Sequence, residues 1–181
     1  DSGAYSYRTE PTPPYDTKET VRFYRNVGCT HGVALDHIPD KRTYLKLEAE
    51  YQRLSKSVER TRSRLAKAER KITALRTQQN LFPNGELQES QETAISAQQE
   101  KLYKQLKRYR SSLERYEELP SKIAAEIAER DRRWRLSISN AAEFKRECTE
   151  INVNFTPIAT AHGWDRASYY DSTLELVSQG Y

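Results

Sequence analysis

Residues 40–82 read DKRTYLKLEAEYQRLSKSVERTRSRLAKAERKITALRTQQNLF, a stretch with neither glycine nor proline. Within it Tyr44, Leu47, Tyr51, Leu54, Val58, Thr61, Leu65, Ala68, Ile72, Leu75, Gln79 and Phe82 follow one another at alternating intervals of three and four. Ten of those twelve are apolar when Ala and Tyr are counted. A seam of this kind, held over more than five heptads, is the pattern of a coiled coil, and its 3.5-residue period implies a left-handed supercoil. Two further windows lack both helix breakers, 86–119 and 121–156. In the first, Ile95, Gln99, Leu102, Leu106, Tyr109, Leu113 and Tyr116 repeat the spacing, and the series continues through Pro120, Ile123, Ile127, Arg130 and Trp134. Interior proline costs a helix about 3 kcal/mol, so Pro120 is where a helix is expected to bend, or to end with the next one starting.

Between the first two windows lies Leu81-Phe82-Pro83-Asn84-Gly85-Glu86. Pro83 disfavours helix at the residue before it, and Asn84-Gly85 tolerates positive φ, so a short turn and antiparallel helices are expected. Folding there sets Ile72 against Ile95, Leu65 against Leu102, Val58 against Tyr109 and Tyr51 against Tyr116. The expected fold class is therefore all-α: a long antiparallel coiled-coil hairpin with a bent third helical segment. Its helices cover about 41–82, 86–119 and 120–148, and the first is about 60 Å long.

The two ends read differently. Residues 1–40 mix Pro11, Pro13, Pro14 and Pro39 with Tyr5, Tyr7, Tyr15, Phe23 and Tyr24. They show no sustained period, which predicts an extended segment whose aromatic residues dock on a partner. In residues 149–181, Ile151-Asn152-Val153-Asn154-Phe155 alternates like a strand, and Asp165 is placed to cap a short helix over about 165–179. Trp164, Tyr170 and Leu174 make this second end a further partner-binding segment, with Val177 on the same helical face as Tyr170 and Leu174.

The chain of 181 residues is 36% hydrophobic and 31% charged, with a formal charge of +4. So low an apolar fraction leaves little for the deep walls of an ordinary enzyme pocket. Residues 1–40, 41–82, 83–118, 119–148 and 149–181 carry −2, +8, −1, +2 and −3. The excess thus sits on the first helix, where Lys46, Arg53, Arg60 and Lys67 recur every seven residues. Such a row either shields the seam with its stems, as a solvated flank, or meets phosphates or an acidic surface. Arg130, Arg132, Arg133 and Arg135 surround Trp134, whose indole could stack a base but falls on the seam.

No phosphate loop, GxGxxG, HExxH or GxSxG pattern is present, so no catalytic residue and no cofactor is assigned. Cys29, His31 and His37 have no recognised ligand spacing, and no metal site is expected. Cys29 and Cys148 are too few for a disulfide framework but could pair in an oxidising compartment. No apolar run approaches the length of a membrane span, which places the chain at most at a membrane periphery.

The sequence begins Asp1-Ser2-Gly3 and holds no methionine, which reads as a processed or trimmed start. Together these features lead to a non-catalytic accessory subunit of a large multisubunit assembly. Its expected setting is mitochondrial, as a peripheral part of a respiratory-chain or ATP-synthase complex, with other protein subunits as partners. The alternative is an RNA-associated component, such as a mitochondrial ribosomal protein, that sets the Lys46–Lys67 row on phosphates. A homo-oligomer whose seam pairs between chains is the third reading.

Overall fold

The computed structural model describes residues 3–40, 42–81 and 88–181. The expected turn at Phe82-Pro83-Asn84-Gly85-Glu86 lies outside the described residues, and so do the side chains of 78–81 and 88–91, Gln79 among them. The elements run α1 (Thr17–Val27), β1 (His31–Val33), α2 (Arg42–Leu81), α3 (Gln88–Glu150), β2 (Thr156–Ile158) and α4 (Arg166–Ser178). The protein is mostly helical. It divides into two compact units, one formed by residues 1–44 with 125–181, the other by Leu45–Ala124.

The second unit is built from α2 and the first part of α3. Leu54, Leu65 and Ile72 of α2 are buried, as are Ile95 and Leu119 of α3. The rings of Tyr51 and Tyr116 stack at 4.9 Å between centroids, their hydroxyls 3.0 Å apart, and Arg115 pairs with Glu50 beside them. These contacts match two helices folded back on each other in the register expected for a hairpin. Gln99, placed on the seam by its spacing, is exposed, and Gln98 is half-buried instead.

Pro120 does not divide the second and third windows. α3 is one helix of 63 residues that runs through it. The seam steps from Tyr116 to the buried Leu119, which leaves Pro120 on the exposed side. There the carbonyl that loses its amide donor can be hydrated, so the proline removes one hydrogen bond without stranding a buried acceptor. Lys122 and Glu118 form an ion pair of 2.8 Å across the site.

The first unit overturns the expectation that residues 1–40 are extended throughout, since α1 lies within them. Asp16 caps α1, its carboxylate accepting from the Lys18 and Glu19 amides, and Gly28 ends the helix at φ 75°. Tyr7, Val21, Tyr24, Ala34, Leu35 and His37 are all buried. The apolar pattern of the stretch is too short to show a period: α1 has 11 residues, and its packing surface is supplied by chain more than 100 residues away. Side chains of α3 also hold the preceding residues. Arg133 donates to the Arg8 carbonyl and Arg132 to that of Pro11. His37 Nε2 donates to the Glu10 carbonyl at 2.7 Å, and the Tyr7 hydroxyl donates to that of Asp36 at 3.0 Å.

Three helices end in the same device. At α1 the Gly28 and Cys29 amides donate to Arg25 and Tyr24; at α3 those of Asn152 and Val153 donate to Thr149 and Cys148; at α4 those of Gly180 and Tyr181 donate to Val177 and Leu176. Each is a Schellman closure with a positive-φ residue, Gly28, Asn152 or Gly180. Tyr24, Cys148 and Leu176, whose carbonyls accept the outer bond of each closure, are core residues. The residues just past each turn, Cys29, Val153 and Tyr181, pack against that same core with Val21, Ala34, Ala141, Phe144 and Phe155. Three helix ends therefore converge on the core of the first unit.

β1 and β2 pair in parallel, with Gly32 opposite Pro157. The strand lies just past the expected 151–155, because Asn152 at φ 47° turns the chain and makes Ile151 and Val153 part of the helix closure. Gly32 is required by close approach: a Cβ there would fall 2.5 Å from the Phe155 ring.

Candidate functional site

α4 is turned the opposite way from its composition. Asp165 caps it and forms a reciprocal capping box with Ser168. The buried face carries Ser168, Ser172 and Leu176, spaced four apart. Ser168 and Ser172 have internal work: the Ser168 hydroxyl accepts from the amides of Trp164 and Asp165, and Ser172 accepts from the amide of His162. With the serines inward, Tyr170, Leu174 and Val177 are 63%, 50% and 60% exposed. Their spacing of four and three places them on one side of the helix.

The aromatic residues singled out at the other end separate into two groups. Tyr7 and Tyr24 are core residues, whereas Tyr5, Tyr15 and Phe23 are exposed. Tyr5 stacks under the Arg8 guanidinium at 4.1 Å. Tyr15 and Phe23 border a cavity of about 420 Å³ lined also by Gly3, Glu19, Thr20, Tyr24 and Leu35. Trp164 is half-buried beneath Arg130, whose guanidinium carbon lies 3.8 Å from the ring centre.

Three of the four arginines around Trp134, Arg130, Arg132 and Arg133, are engaged within the fold, and Arg135 is exposed. Arg132 and Arg133 both bind Glu129 at 2.7 Å and hold its carboxyl down at about 2, against an ordinary 4.5. Trp134 donates its indole N–H to the His162 carbonyl at 3.1 Å, so its edge is engaged within the fold. Lys46, Arg53, Arg60 and Lys67 are all exposed on α2, and among the described residues none of the four makes an ion pair.

The groups with chemical potential serve as pins. His162 Nε2 donates to Asp36 at 2.6 Å, tying β2's far flank to the segment after β1. His37 is fully buried; its amide donates to the Ser137 hydroxyl at 2.7 Å, and its Nδ1 faces no partner among the described residues. Burial lowers the affinity of His37 for a proton below the ordinary 6.5. Cys29 and Cys148 share the core as free thiols, not as the disulfide considered from sequence. Burial pushes the Cys148 thiol up to about 11, so it is protonated and unreactive at neutral pH. No cluster of three or more ligating side chains occurs among the described residues. No described helix is long and apolar enough to cross a membrane.

Compared with known proteins, the chain matches no family model, no curated protein and no solved structure.

Proposed function

We propose that this chain is a non-catalytic structural subunit of a larger protein assembly. The observation that carries the reading is the inverted face of α4, with two serines buried and Tyr170, Leu174 and Val177 presented to solvent. A helix that spends its inner face on hydroxyls and its outer face on large apolar residues gains little by itself. It gains about 25 cal/mol per Å² when a neighbour covers the outer face. Tyr15 and Phe23 at the mouth of the 420 Å³ cavity offer a second such surface. In the other unit, α2 and the first part of α3 form an intramolecular antiparallel coiled coil, a shape suited to spacing or bridging neighbours.

The test is co-purification from the native source with tagged wild-type chain and a Tyr170→Ser, Leu174→Ser variant. Loss of stoichiometric neighbours, with helix content and unfolding midpoint unchanged, is the expected result. Full retention of the neighbours by the variant sinks the docking role of α4. Respiratory-chain or ATP-synthase subunits are the neighbours expected, and a different set overturns that placement while leaving the structural role intact.

A further inference from the structure

α2 and α3 bring together two basic blocks that are far apart in the chain. From α2, Arg64, Lys67 and Lys71 line one side of a groove; from α3, Lys101, Lys104, Lys107 and Arg108 line the other. The groove consists of an open depression of about 820 Å³ and an adjoining one of about 260 Å³, which share Arg64 and Gln105. Among the described residues no acidic side chain lines either. Of these cations, Lys104 pairs with Glu100 at 2.6 Å, on the exposed surface, and the other six make no ion pair among the described residues. From Ser57 to Lys71 the lining extends about 21 Å along α2.

Six like charges crowded without counter-charge raise the local potential and favour a polyanion that follows the groove. The uncharged lining narrows the choice. Gln105, Ser111 and Ser112 offer donors and acceptors, while Thr61 uses its hydroxyl proton on the Ser57 carbonyl and keeps an acceptor free. Such groups suit phosphate oxygens and ribose hydroxyls better than the apolar face of a docking helix. Tyr103, 70% exposed and one helical turn before Lys107, is not among the described lining residues, but its ring is open to solvent for a base to stack.

We infer that this groove binds single-stranded RNA through its sugar–phosphate backbone. The inference rests on the Leu45–Ala124 unit alone and is independent of the α4 docking face. It also differs from a phosphate track on Lys46, Arg53 and Arg60, which lie outside the groove and leave only Lys67 in common.

The experiment measures binding of the full chain to a fluorescent oligouridine 12-mer across a salt series. With about four phosphates neutralised, log K falls against log salt with a slope of about −3. Lys101→Gln with Lys107→Gln reduces the slope to about −1.5, and Tyr103→Ala weakens binding about tenfold without changing the slope. All three substitutions are at exposed positions, and unchanged helical circular dichroism confirms that the variants fold. A Lys46→Gln, Arg53→Gln control leaves affinity unchanged. A salt-independent signal, or a control as damaging as the groove variant, overturns the assignment. Equal affinity for oligothymidine removes the ribose-hydroxyl argument and overturns the choice of RNA. Polyglutamate bound as tightly as oligouridine makes the groove a site for an acidic protein instead.

Discussion

His37 shows how one buried side chain makes the first unit sensitive to pH. Its Nε2 proton is committed to the Glu10 carbonyl, and its buried Nδ1 has no acceptor or donor among the described residues. Protonating it would place a cation beside Arg132 and Arg133, whose charges already oppose it, with Glu129 a weaker counterweight. The folded chain therefore takes up this proton less readily than the unfolded chain, whose histidine titrates near 6.5. Because the unfolded state binds more protons below that value, stability falls as pH drops through about 6.5. Denaturant midpoints measured between pH 7.5 and 5 should decline, and a His37→Gln variant, able to keep a donor toward Glu10, should flatten the decline. A midpoint in wild type that stays constant over that range would contradict the buried neutral state.

At the scale of the element, helix ends decide more than helix interiors. Gly28 and Gly180 fill the left-handed position of two closures at no steric cost, whereas Asn152 fills the third with a side chain. Asn tolerates that region better than other non-glycine residues. Asn152→Gly should therefore match or exceed wild-type stability, and Asn152→Ala should lose about 1 kcal/mol, read from urea midpoints. A neutral alanine variant would mean that the closure contributes nothing to the core it borders. Local signals of this kind explain why Asp165 was readable as a helix start, while α1 was not. Asp16 and Gly28 carry the same signals, but with only 11 residues between them and a core partner, Phe144, far along the chain. Pro120 shows the reverse case. A local rule foretold a bend or a break, and at an exposed position the helix runs on without a break.

For the whole molecule, the division into two units carries its own expectation. Residues 45–124 expressed alone should be helical and sediment as a monomer at low concentration, because the Tyr51–Tyr116 stack and the Glu50–Arg115 pair lie within one chain. Sedimentation as a dimer would return the seam to the homo-oligomeric reading. The long helices were legible because a seam repeated every seven residues is a local property, written many times over between Tyr44 and Tyr116. Charge counting by segment hid the groove. Residues 83–118 sum to −1, although Lys101 to Arg110 holds five cations and no acid, bracketed by glutamates at 86–100 and 114–118. Sequence alone determined the helical class, the length of α2 and the cap at Asp165, since each depends on neighbours within a few residues. Tertiary structure alone decided that Tyr7 and Tyr24 are core, that α4 faces its apolar side outward, and that Lys101–Arg108 meets Arg64–Lys71. Those outcomes depend on which surface reaches a residue from a distant part of the chain, and burial energy is fixed only when both surfaces are in place.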